Sequence, residues 1–273
     1  MTAGFFDLHN HTLPAVDDGP RSMDDSLAMA SIAAEDGIET VVLTPHSKDV
    51  AESLRSGAFR DSVVELQRAV DAAGVAVRYL VGLENHLEPD LAEKLDTGLA
   101  LTMNGSSYIL VELPFSPTLP IFTNDVLFKL RLRGLTPIIA HPERCDALVR
   151  DPDLLAGMVH LGSIAQVTST SLTGRFGPDY RKAAETFLER GLVHIIGSDA
   201  HSHRGPRVPV LSDGVEAASK IVGEEYARSM VTAVPRAIVE GRPFESELPG
   251  PGPVPPRSGG SGAARRPRTP AAA

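Results

Sequence analysis

Short apolar runs alternate along the chain with longer amphipathic stretches, from Phe5 to about residue 240. The strand candidates are Phe5–Leu8, Thr40–Leu43, Arg78–Val81, Tyr108–Val111, Pro137–Ala140, Ile164–Val167 and Val193–Gly197. Several are almost unbroken apolar runs, as expected where both faces of a parallel sheet are covered. Helical patterns lie between them. Met23–Glu35 follows Ser22, carries Asp24 and Asp25 in its first turn and stops before Gly37, which is a capped-helix signature. Phe59–Ala73, Thr123–Arg133 and Pro178–Arg190 each end before a glycine, at 74, 134 and 191. Seven strands, each followed by a helix or loop, predict one α/β domain built as a barrel of (β/α) units. A doubly wound open sheet is the alternative, but no G-x-G-x-x-G follows the first strand.

The polar residues gather where the strands stop. The first strand runs into Asp7-Leu8-His9-Asn10-His11, the second into Thr44-Pro45-His46, the third into Gly82-Leu83-Glu84 and the fourth into Val111-Glu112. The fifth ends at Ala140-His141-Pro142-Glu143-Arg144, the sixth at Gln166 and the seventh at Ser198-Asp199-Ala200-His201. In a (β/α) barrel these ends open on one face, where catalytic loops sit. His9, His11, His46, His141, His201, Glu84, Glu112 and Asp199 would meet there, joined by Asp18 from the first loop. Burying so many carboxylates is costly, and divalent cations neutralise them most simply. Nitrogen and oxygen donors without thiolate favour Mn, Fe or Zn. At about four to six ligands per ion, nine candidates suit two or three metals. Singly each is weak, since H-x-H is often only a polar strand end; the joint pattern carries the argument. His86, His160, His194 and His203 are read as ordinary histidines, with His194 in the core.

Composition narrows the chemistry. The chain of 273 residues has 26 Lys+Arg against 35 Asp+Glu, a net charge of −9 that disfavours nucleic acid as the main partner. A single cysteine, Cys145, excludes a disulfide framework or a CxxC site. No signal peptide and no transmembrane run are evident, so the expected location is cytoplasmic. From residue 247 the chain turns to Pro, Gly, Ala and Arg, with too few apolar side chains to offset ordering, which predicts a disordered tail over 247–273.

Arginines near the rim point to phosphate, whose oxygens fit the planar guanidinium fork. Arg144 follows His141, and Arg204 and Arg207 follow His201. A cysteine-phosphatase loop is absent: residue 151, six beyond Cys145, is Asp, and Arg150 falls one position short. Neither a G-x-x-x-x-G-K-[ST] loop nor a G-x-S-x-G elbow occurs.

These strand-end residues resemble the PHP (polymerase and histidinol phosphatase) superfamily. More closely, they resemble its bacterial protein tyrosine phosphatases encoded with capsule and exopolysaccharide genes. The matching stretches are DLHNHTLPAVDDGPRS (7–22), TPH (44–46), GLE (82–84), VELPF (111–115), IAHPERCDAL (139–148), QVTSTSLTGRFG (166–177) and GSDAH (197–201). The resemblance implies a distorted (β/α)7 TIM-like barrel over residues 1–246 and a trinuclear site preferring manganese. Its ligands would be His9, His11, Glu84 and Asp199 for one ion, Glu84, Glu112 and His141 for a second, and Asp18, His46 and His201 for a third. Arg144 matches the family's phosphate-contacting arginine. For the second arginine Arg207 is the better match, with Arg204 the alternative. The implied substrate is phosphotyrosine on protein, namely a bacterial tyrosine kinase of polysaccharide export. A small-molecule phosphatase of histidinol-phosphate type and a non-catalytic, metal-stabilised regulator are the alternatives.

Overall fold

In the computed structural model, which describes residues 4–243, every strand pairs in parallel with its neighbours. The expected tail over 247–273 lies outside the described residues. Strands β1 (Phe5–Asn10), β2 (Ile38–Leu43) and β3 (Arg78–Val81) form one sheet. A second holds β4 (Asn85–His86), β5 (Tyr108–Glu112), β6 (Thr136–Ala140), β7 (Ile164–Thr168) and β8 (Ile195–Gly197) in that order. Helices follow the strands as expected: α1 (Met23–Glu35) after β1, α2 (Ala51–Ser56) and α3 (Ala58–Ala72) after β2, α5 (Thr123–Leu132) after β5 and α9 (Pro178–Glu189) after β7. The Ser22 side chain accepts the Asp25 N–H at 3.2 Å, the predicted cap of α1.

Alternating side chains divide the core in two. Phe5, Val41, Tyr79, Ile109, Ile139, Ala165 and Ile196 pack outward against the helices. Their neighbours Phe6, Val42, Leu80, Leu110, Ile138, Ile164 and Ile195 form an inner cluster. One residue in two therefore faces each way, as strand geometry requires. Helix α12 (Ala233–Val239) adds Val234, Ile238 and Val239 to the inner cluster. It packs on β1, with the Arg236 guanidinium over the ring of Phe6 near the start of that strand.

The predicted barrel is corrected at two seams, where the ladder does not close. Between β8 and β1 the Met230 and Val231 carbonyls accept the Ile196 and Phe6 N–H groups at 3.3 and 2.8 Å. Further along, the buried Asp7 carboxylate accepts the Ser198 N–H at 2.9 Å and the Asn10 amide at 2.9 Å. A loop and a side chain thus take part of the hydrogen bonding that a strand pair would make, while an isolated parallel bridge of Asn10 with Ala200 joins the two chain segments beyond them. The second seam divides the third predicted strand: β3 pairs with β2, whereas the Asn85–His86 extension pairs with β5. Asn85 holds this bend by donating to the carbonyls of Leu83, Leu101 and Leu110, each at 3.0 Å. The last strand is also shorter than expected, because the His194 ring accepts the Ala165 N–H at 3.3 Å. That buried ring is a core residue, as predicted, and burial lowers its pKa to about 4.

Because Asp7 substitutes for a strand pair, Asp7→Ala leaves buried donors unpaired. The expected result is a fall in Tm of roughly 5–10 °C by calorimetry. A fall under about 2 °C would show that the seam does not need this carboxylate.

Candidate metal centre

All nine predicted ligands reach one region, at the C-terminal ends of the strands. His9 and His11 lie two apart on an extended segment and so point the same way. Both are fully buried. His46 and Glu84 are aligned by an isolated parallel bridge, and Glu112 closes β5. His141 and Asp199 follow β6 and β8 in the left-handed region, at φ 28° and 49°. Such backbone is unfavourable for residues with a Cβ and is held here by its surroundings, turning both side chains inward. Asp18 arrives on the loop after β1. A Cβ at Gly19 would sit 2.3 Å from the His11 carbonyl oxygen, so glycine lets that loop lie against the centre.

Glu84 is the hub. Its Oε1 lies 2.8 Å from His141 Nε2 and 3.3 Å from His9 Nε2. Its Oε2 lies 2.8 Å from His46 Nδ1 and 3.5 Å from His11 Nε2. Asp199 Oδ1 lies 3.5 and 3.6 Å from His9 and His11 Nε2, and Asp18 Oδ1 is 3.0 Å from His201 Nε2. Ligand atoms fall into overlapping groups within 4.8 Å: His9, His11 and Glu84; Glu84, Glu112 and His141; His11, Asp18, His46 and His201; and His46, His86 and Glu112.

Several ligand atoms in these close approaches lack hydrogen-bond geometry. His9 Nε2, His11 Nε2, His46 Nδ1 and Glu84 Oε2 are buried with no hydrogen-bond partner. The opposite ring atoms are anchored. His9 Nδ1 is 2.8 Å from Gln166 Oε1, His11 Nδ1 is 2.6 Å from Asp17 Oδ2, and His201 Nδ1 is 3.0 Å from the Asp199 carbonyl. An acceptor on Nδ1 fixes the tautomer and frees Nε2 as an electron-pair donor, the usual arrangement behind metal-ligating histidines. The donor set therefore fits divalent cations.

Electrostatics point the same way. Burial alone would lower the His9 pKa, but the charges of Glu84 and Asp199 raise it to about 10. Burial likewise opposes His46, which Glu84 lifts to about 9. His11 falls to about 4 through burial and repulsion from His201, against the pull of Asp17. Burial would raise Glu84, yet His9, His141 and His46 hold it well below the usual carboxylate range. Glu112 goes the other way, pushed up by burial and by Glu84. The carboxylates thus draw protons onto two imidazoles to obtain positive charge that cations supply directly.

The centre forms the floor of a cleft of about 470 Å3. Arg144 and Arg207 both line it and both contact Asp199, at 2.6 and 3.1 Å. Between the two candidates for the second arginine, the structure brings Arg207 to the cleft and leaves Arg204 exposed. The Arg207 carbonyl accepts the N–H groups of His201 and Ser202 at 3.0 and 3.1 Å, which folds the loop back onto the centre. The reading of His86 as an ordinary histidine is corrected: it lines the cleft, with Nε2 3.1 Å from Glu112 Oε2. It stands two positions beyond Glu84, a spacing present in the sequence, and both side chains line the cleft. Asp17 and Gln166, as anchors of His11 and His9, carry no such local signal. Leu87, Leu113, Pro114 and Phe115 form an apolar part of the cleft wall.

The chain matches the family model described as capsular polysaccharide synthesis, CpsB/CapC, over residues 5–240. It is 34% identical over 196 residues to the tyrosine-protein phosphatase YwqE of Bacillus subtilis, covering 72% of this chain and 77% of that protein. Against the tyrosine-protein phosphatase CpsB of Streptococcus pneumoniae it is 29% identical, covering 85% and 97%. Its structure superposes at a TM-score of 0.83 and 29% identity on a crystal structure from work on YwqE and CpsB, described as metal-dependent tyrosine phosphatases; 90% of this chain and 98% of that one are covered.

The titrations predict how the chain behaves without cations. His9 and His46 have folded pKa values raised from 6.5 to about 10 and about 9. Their stabilisation is complete below pH 6.5 and is lost as pH rises through those values. Glu84 and Asp17, held low, add stability that is present above the ordinary carboxylate range and lost as pH falls. Urea midpoints of EDTA-treated protein are expected to fall steadily from about pH 6.5 to 10. A flat profile across that interval would contradict the proton-bridged centre.

Proposed function

The chain belongs to the CpsB/CapC family of capsular polysaccharide synthesis, and on that premise we propose that it is a metal-dependent protein tyrosine phosphatase, hydrolysing phosphotyrosine on protein. The observation that carries this reading is the two-sided cleft, with imidazoles and carboxylates as its floor and Leu87, Leu113, Pro114 and Phe115 in its wall. A phosphate on an aromatic ring needs both halves.

In this reading His9, His11, Glu84 and Asp199 would hold one cation, Glu84, Glu112 and His141 a second, and Asp18, His46 and His201 a third. Manganese is the proposed ion, with Fe or Zn as substitutes. Bound cations would lower the pKa of water to about 7 and offset the phosphate's charge. The chain's own contribution is positioning. Arg144 and Arg207 offer planar forks to the phosphoryl oxygens, on which charge spreads during transfer. Arg144 is steadied by its approach to Phe115, with Cζ 4.9 Å from the ring centroid. Phe115, about half exposed, offers a face to the phenyl ring of the substrate. The departing phenolate has a pKa near 10 and needs little help from a general acid. Cys145 is buried, and burial pushes its thiol up, so it does not supply a thiolate nucleophile.

The natural substrate we propose is a bacterial tyrosine kinase of polysaccharide export, met in the cytoplasm by a phosphatase domain over 1–246 with a distorted (β/α)7 frame. No helix among the described residues is long and apolar enough to cross a membrane.

The test is turnover of a phosphotyrosine peptide against histidinol phosphate, with and without manganese. The peptide is expected to be preferred, with activity abolished by EDTA and restored by manganese. Preference for histidinol phosphate would overturn the reading. Arg144→Ala should lower kcat/KM by roughly 100-fold or more. Phe115→Ala should raise KM for the peptide roughly tenfold, with a smaller effect on an aliphatic phosphate. Cys145→Ser should keep most activity; a dead variant that still binds metal would exclude this mechanism.

A further inference from the structure

We propose that His86, His46 and Glu112 form a further, exchangeable divalent-cation site on the solvent side of the centre. The proposal rests on the metal-dependent reading above, and it assigns a ligand role to His86 that the nine predicted residues do not include.

The three side chains bring a ligand atom each within 4.8 Å of one another. Glu112 is placed to serve two directions. Its Oε1 is 3.8 Å from His141 in the inner group, while its Oε2 is 3.1 Å from His86 Nε2. His46 and His86 face each other with ring centroids 5.6 Å apart. Ser47 sets the His86 ring: its Oγ accepts the His86 N–H at 3.4 Å and lies 3.5 Å from Nδ1. That leaves Nε2 directed to Glu112. His46 Nδ1 lies 2.8 Å from Glu84 Oε2, so its ring shares one electron pair between this site and the inner centre, and His86 with Glu112 makes up the part of the weak site that the inner ions do not use.

Accessibility separates this set from the inner ones. The side chains of His86, His46 and Glu112 are 23%, 20% and 10% exposed, against 0% for His9, His11 and Glu84. All three line the cleft. Lys48 lines it too and opposes a cation near His86, whereas Glu84 and Glu88 favour one. An ion held by two imidazoles and one carboxylate oxygen, beside a lysine and open to water, exchanges more readily than one enclosed by Glu84 and its histidines. Imidazole and carboxylate donors suit Mn2+ or Zn2+. In the cleft, such an ion adds positive charge where an anionic substrate enters.

Equilibrium dialysis of the full chain against Mn2+ and, separately, Zn2+ tests this. Wild type is expected to show a tight and a weak class of ions. His86→Phe should lose the weak class, read as at least about a tenfold fall in its affinity. The tight class should be retained, which also reports that the variant is folded. Weak binding equal in wild type and variant would overturn the proposal while leaving the inner centre intact. No binding by either chain would instead remove the metal-dependent reading, and this proposal with it.

Discussion

A carboxylate with no exposure to water, Glu84, touches four imidazoles, those of His9, His11, His46 and His141. Removing such a group from water costs several kcal/mol unless its partners are good. The partners come from three different strand ends, so they exist only if the strands assemble in the observed order. Fold and centre are therefore one construction. The sheets place the imidazoles, and the imidazoles let a charge be buried at the mouth of the sheets.

That construction divides the molecule along the strand axis. The inner cluster under α12 is apolar, and the opposite end is almost wholly polar. Stability and chemistry occupy separate ends, as in (β/α) architectures generally. The two open seams fit this division. At one, Asp7 replaces a strand contact beside His9 and Asp199; at the other, the strand bends so that Glu84 and His86 reach the cleft. The positive φ angles of His141 and Asp199 are the local cost of aiming short side chains at a shared point.

On the proposed function, one cleft would discriminate among phosphates. Cations and two arginines would recognise any phosphoryl group. Phe115 and its apolar neighbours add what an aliphatic phosphate cannot use. Arg144 belongs to both halves, since it contacts Asp199 through one nitrogen and packs its guanidinium against Phe115. Partly buried His86 extends the polar half outward.

The sequence by itself determined most strands, most helix limits and which imidazoles and carboxylates cluster, because periodicity and strand-end position are local properties of the chain. Arg78–Val81 and Met23–Glu35 appear in the structure with the limits their patterns predict. Even His86 stands only two positions beyond Glu84. What the sequence left open depends on approach through space. Gln166 orients His9 from 157 residues away, and no spacing rule connects them. Arg207 displaces Arg204 because its carbonyl closes a loop onto His201. The ladder fails to close because loop carbonyls at 230–231 and the Asp7 carboxylate occupy the seam. Local pattern fixes which way a side chain leaves the backbone, but which atom it finds there is set only when distant segments pack.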